Sequence, residues 1–199
     1  MNKITVEKLN ADAKRLFEAA KSKGFYDQYP TPESRKESVF IDQKLNLIVT
    51  EIAEAYESYR ISKIDADEKS LAELWDNREE LIKEGKFSET YNKSVKGTVA
   101  EELADVYIRV CDLAGATDSE LKSTSNKGIS FLNKESLFRS ITFVTIQYTT
   151  FSDGLGGQLS YVIMLTEMLA KEFGIDLEKH IELKACRNRE REYMHGKNF

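Results

Sequence analysis

The chain has 199 residues, 41% hydrophobic and 32% charged, which are ordinary proportions for one soluble globular domain with a sizeable core. Its formal charge of -5 argues against a general binder of nucleic acid or membrane surface, since such proteins collect phosphates with excess Lys and Arg. The stretch MNKITVEKLN lacks the apolar run of a signal peptide, and nothing approaches the roughly 18 apolar residues of a membrane span, so the expectation is a cytoplasmic protein.

Leu9, Ala13, Leu16, Phe17 and Ala20 recur at helical spacing and predict a helix over 5–22, ended near Gly24. The stretch GFYDQYPTPES then reads as a loop and holds both prolines, Pro30 and Pro32. Ile41, Leu45, Ile48, Ile52, Tyr56 and Tyr59 mark a second, long helix. Residues 67–84 read as one amphipathic helix through Leu71, Trp75 and Leu81, followed by a polar loop from Gly85 to Gly97. Thr98 and Glu101 are spaced as a capping box and open a helix that carries Val99, Leu103, Val106, Val110 and Leu113 and stops at Gly115. The polar stretch 117–130 reads as loop. Leu137, Ile141, Val144, Tyr148 and Phe151 favour helix over 137–151, although the composition there is strand-like. Gly154, Gly156 and Gly157 are read as a break before an apolar helix over 158–172; they are not a GxGxxG turn after a strand. Asp176 caps a last helix running to about Tyr193. The fold class that follows is all-α: a single-domain helical bundle with a four-helix core plus additional helices.

Chemistry concentrates in two acidic couples, Glu51 with Glu54 and Glu102 with Asp105. A three-residue step on a helix is about 300° of rotation, so each couple points one way and can share a cation. Spacing alone decides little, because Asp65 with Glu68 and Glu73 with Asp76 share it and read as a solvated face. Context adds more. Leu47 lies one turn before Glu51 on the side of Glu54, so the second helix reads as buried on two faces. On the later helix Glu102, Asp105, Arg109 and Asp112 line a flank beside the apolar stripe, where the plain alternative is an i, i+4 ladder with Arg109 on Asp105. The capping role sets Glu101 aside. Four carboxylates converging beside a core would repel unless a cation neutralised them, and Mg²⁺, with Mn²⁺ as the alternative, suits such hard oxygen ligands.

The last helix supplies the opposite charge, since Lys184, Asn188 and Arg191 continue the angular position of Leu177 and Ile181. The plain alternative is a solvated basic helix end balanced by Glu182, Glu190 and Glu192. His180 reads as a surface or interface histidine, and Cys111 and Cys186, lacking metal-type spacing, as reduced packed thiols. Phe25, Tyr26 and Trp75 could stack on a base but read equally as core.

These residues together resemble the MazG-like family of all-α nucleoside triphosphate pyrophosphohydrolases, whose signature is ExxE on one helix and ExxD on a later one. The matching text is LIVTEIAEAYES and EELADVYIRVCDLAG, and the tail KACRNREREYMHGKNF is similar to the family's Lys, Asn, Arg and His-Gly-Lys ending, at Lys184, Asn188, Arg191 and His195 to Lys197. The chain departs from the family at Glu192, where such tails often carry proline, and in the segments 64–97 and 116–172, which look like additions to a minimal member. The resemblance implies Mg²⁺ held by Glu51, Glu54, Glu102 and Asp105, with Glu51 or Glu54 orienting the attacking water. It also implies phosphates held by Lys184, Asn188, Arg191 and Lys197, a nucleotide substrate cleaved to monophosphate and pyrophosphate, and a homodimer or larger homo-oligomer. Two other readings stay open: a phosphoribosyl-ATP pyrophosphohydrolase-like enzyme, which a substrate panel distinguishes, and a non-catalytic helical interaction module, for which Mg²⁺-dependent nucleotide binding would be absent.

Overall fold

The computed structural model describes residues 5–125, 130, 133–147 and 154–191, and every regular element among them is helical. Helix α1 (Val6–Ser22) starts where the Thr5 side chain accepts from the Lys8 N–H, and it buries Leu9, Ala13, Leu16 and Phe17. The following turn is anchored by Arg35, whose buried guanidinium donates to the carbonyls of Tyr29, Pro30 and Ala116. Helix α2 (Ser38–Arg60) buries Phe40, Ile41, Leu45, Ile48, Ile52 and Ala55, each worth roughly 1–3 kcal/mol of transfer free energy. Its second apolar face is open in the single chain, with Leu47 40% and Tyr56 39% exposed, contrary to the expectation of burial on two sides.

The stretch expected as one helix over 67–84 is two, α3 (Glu68–Asp76) and α4 (Arg78–Lys83). Asn77 separates them, its side-chain amide donating to the Glu73 carbonyl, a local bond of the kind that competes with helix continuation. The expected loop from Gly85 to Gly97 contains a further helix, α5 (Phe87–Ser94), whose Phe87 and Tyr91 are one turn apart and buried. Leu74, Phe87, Tyr91 and Val95 form a small separate core with Leu183 and Cys186 of the last helix.

Helix α6 (Val99–Thr117) is the axis of the bundle and is buried on nearly every side. Two stretches expected to be breaks are close contacts instead. Gly115 lies inside α6, where a side-chain carbon would sit 2.7 Å from Phe17 Cβ and collide with the Ala13 carbonyl, so α1 can approach only because the side chain is missing. Gly156 plays the same part against the Glu120 backbone, and helix α8 (Gly154–Phe173) therefore starts four residues before the expected 158. Between them α7 (Lys134–Ile146) is shorter than the expected 137–151 at its far end, and Tyr148 and Phe151 lie outside the described residues. Helix α9 (Leu177–Glu190) is capped by Asp176 as expected and ends at Glu190 rather than near Tyr193. Helices α1, α2, α8 and α9 pack directly on α6, and α7 spans α2 and α8. Residues of α7 and α8 such as Ile141, Leu159 and Leu169 belong to the main core. No helix among the described residues is long and apolar enough to cross a membrane.

Candidate metal centre

The acids of α2 and α6 meet because the apolar stripes of these two helices pack together and carry the flanking positions inward with them. Carboxylate oxygens of Glu51, Glu54 and Glu102 lie within 4.8 Å of one another, the one such gathering of acidic, His or Cys ligand atoms among the described residues. Glu51 and Glu102 are buried, at 9% and 7% exposure, while Glu54 faces outward. Asp105 does not join the trio. Its Oδ2 receives the Lys184 ammonium at 2.5 Å, so the fourth expected ligand is already engaged.

Counter-charges fall differently from the sequence expectation. Arg109 crosses to α2 and donates from Nε to Glu51 Oε1 at 3.1 Å, instead of pairing along its own helix with Asp105. Lys184, expected to reach a phosphate, is 4% exposed and lies between Glu101 Oε1, at 2.6 Å, and Asp105. Glu101, set aside as a cap, has both functions: Oε2 accepts from the Gly97 N–H while Oε1 takes Lys184. The Thr98 half of the capping box is present, its hydroxyl accepting from the Glu101 N–H at 3.1 Å. The Glu102 carboxylate has no hydrogen bond or ion pair with any described residue, its backbone N–H donating to the Thr98 carbonyl at 3.1 Å. Burial first, then the neighbouring carboxylates Glu101 and Asp105, push its pKa up to about 8. Burial also holds Asp105 above the ordinary carboxylate range, even with the ammonium of Lys184 against it.

The trio opens into a cavity of about 570 Å³ walled by α1, α2, α6 and α9. Asn188 and Arg191 line it. Asn188 Oδ1 is buried without a partner, and the Arg191 guanidinium makes no ion pair with a described residue; burial first, then Arg187, lower its pKa. Lys197, together with His195 and Gly196, lies outside the described residues. An apolar part of the wall is built by Leu16, Ala19, Ala20, Phe25 and Ile108, beside the charged Arg15, Lys44, Lys96, Asp112 and Arg189. Sequence reasoning assigned α1 no part in the site, because a stripe at core spacing does not announce which of its edges borders a cavity. Lys23 of that segment also shapes the rim by donating to the Arg189 and Arg191 carbonyls at the end of α9.

Two further expectations are corrected or met. His180 is fully buried, its Nε2 on the Asp65 carboxylate at 3.1 Å, because α9 packs beneath the turn that follows α2. Cys111 and Cys186 are free and buried, as expected. Tyr26 is core, Trp75 belongs to the small second cluster, and only Phe25 of the three aromatic candidates borders the cavity.

Acidic oxygens gathered around an opening, with donors across it, can hold a hard divalent cation and, through it, an anionic ligand. Comparison of the chain with family models, with curated proteins and with solved structures returned no match.

Proposed function

We propose that the chain is a cytoplasmic, Mg²⁺-dependent nucleoside triphosphate pyrophosphohydrolase of MazG-like type, with Mn²⁺ as the alternative ion. The observation that carries this reading is Glu102: a buried carboxylate beside two others, with no ion pair or side-chain hydrogen bond to a described residue, the nearby Lys184 ammonium being held by Glu101 and Asp105. A buried carboxylate without a partner either keeps its proton or takes a cation from outside, and acids perturbed in this way gather at ligand sites. Glu51, Glu54 and Glu102 fit that ion by chemistry, all being oxygen donors, and by their convergence around one point. Bound there, the ion would offset charge on the phosphate oxygens and on the group they leave with.

The remaining roles belong to the chain itself. Glu51 has one oxygen held by Arg109, which fixes its orientation. Glu54, exposed and without a described partner, would orient and deprotonate a water. Arg191 and Asn188 present donors for phosphate oxygens, Arg as a fork and Asn through its amide. The apolar wall from Leu16 to Ala20 with Phe25 and Ile108 is suited to a flat base, and the cavity volume is of the size that holds a small-molecule ligand. The exposed Leu47 and Tyr56 offer a face for a second copy, which sedimentation of the full chain tests.

A screen of nucleoside di- and triphosphates with pyrophosphate detection, run with Mg²⁺ and with chelator, tests the activity. Release of pyrophosphate that stops on chelation is the expected result. Absence of hydrolysis across the panel with both ions would contradict the proposal.

A further inference from the structure

We infer that Lys184 is a built-in cation occupying the position of a second metal, so that the site takes one divalent ion rather than two. This deepens the metal-centre reading above and rests on it. The helix face and the resemblance both make Lys184 a phosphate contact, yet its ammonium is taken up by two carboxylates of α6. Nζ lies 2.6 Å from Glu101 Oε1 and 2.5 Å from Asp105 Oδ2, bridging carboxylates on successive turns of α6. A lysine is ordinarily a surface residue with a strongly hydrated head, and holding one at 4% exposure is sustained only where carboxylates replace its water. The Tyr91 ring centroid lies 6.0 Å from Nζ and adds an aromatic wall to the pocket that holds the ammonium.

The site's acids therefore divide into two sets. Glu101 and Asp105 share one permanent ammonium from α9. Glu51, Glu54 and Glu102 have a single ion pair with a described residue, Arg109 on one oxygen of Glu51, and stay open to an exchangeable ion. In two-metal sites the ions stand about 3.5–4 Å apart and are shared by bridging carboxylates. Glu101, Asp105 and Lys184 line the same cavity as the trio, so the ammonium stands beside it and repels a second divalent ion by charge as well as by occupying its ligands. A fixed cation needs no loading and cannot be lost to a chelator, while a single exchangeable ion remains to bring the substrate. Lys184 is on this account a positioning residue: it orders Asp105 and sets the ion count.

The count is measurable without turnover. Mn²⁺ titrated into the full chain, with free ion followed by electron paramagnetic resonance, is expected to give one bound ion in the wild type. Lys184→Arg, which keeps a cation, is expected to keep that count, whereas Lys184→Met is expected to bind a second Mn²⁺ and to show the dipolar broadening of neighbouring ions. Two ions in the wild type, or a single ion in a folded Lys184→Met, would overturn the inference. If circular dichroism shows Lys184→Met unfolded, Lys184→Gln takes its place with the same expected second ion, and the wild-type count stands as a test in either case. Failure of the wild type to bind any Mn²⁺ is a distinct result, which overturns the trio as a metal centre and this inference with it.

Discussion

Buried acids occur in two regions of this molecule, and their surroundings differ. Along the seams of α1 and α2 with the middle of α6, Asp12 accepts from the Tyr107 hydroxyl at 3.0 Å and pairs with Arg15 and Lys8. Asp112 accepts from the Tyr26 hydroxyl at 2.5 Å and from the Lys44 ammonium at 3.3 Å. Each is a closed network in which a hydroxyl and at least one cation of the chain satisfy the carboxylate. Nearly three turns before Asp112, the Glu102 carboxylate sits with Glu51 and Glu54 and has neither a hydroxyl nor an ion-pair partner of its own, the Lys184 ammonium being taken by Glu101 and Asp105. The same chain thus compensates its structural acids completely and leaves one group open, which is the pattern expected when the missing charge arrives from outside.

Breaking a closed network should produce the largest effect. Asp112→Ala strands a buried hydroxyl and the ammonium of Lys44, and a loss of about 3–5 kcal/mol is expected in urea denaturation. A loss under 1 kcal/mol would show that the network is not what holds the seam. Glu102→Gln should do the reverse: pyrophosphate release falls on the order of 10²-fold or more, while the chelator-treated protein unfolds at an equal or higher temperature. An active variant, or one strongly destabilised, would move Glu102 into the structural set.

The pH response separates the two regions further. Glu102 has its pKa raised to about 8 from 4.5, so between those values the folded chain holds a proton that the unfolded chain has released. Raising the pH through that window therefore costs the metal-free folded state, by at most about 1.4 kcal/mol per pH unit for this one proton. Thermal midpoints in chelator should fall more steeply with pH in the wild type than in Glu102→Gln, and equal slopes would contradict the assignment. Since a divalent ion competes with the same proton, its affinity should rise across the window. The smallest effect is expected at Asn188→Ala, which removes one neutral donor from the cavity wall: KM rises by the equivalent of about 0.5–1.5 kcal/mol with kcat nearly unchanged.

Helical periodicity made most of the bundle legible, and of the two couples read from three-residue spacing the packing of α2 on α6 gathers Glu51, Glu54 and Glu102 but leaves Asp105 on Lys184. What spacing could not reveal is which partner a side chain meets across a helix interface. Arg109 reaches Glu51 rather than Asp105, and Lys184 reaches Asp105 and Glu101, because the relative rotation of α2, α6 and α9 decides those meetings. Glycine was misread for a related reason. At Gly115 and Gly156 the missing side chain serves a neighbouring backbone, and a local rule about helix ends cannot see that neighbour. Helix α5 escaped notice because only Phe87 and Tyr91 mark its buried face within a polar stretch, and His180 because Asp65 lies 115 positions away in sequence.

The claim that carries all of this is that the open acids form a divalent-cation site. Calorimetric titration of Mg²⁺ into the wild type and into Glu102→Gln tests it most directly. Saturable binding of one ion by the wild type, abolished or greatly weakened in the variant, is the predicted result. Equal binding by both proteins, or none by the wild type, would contradict it.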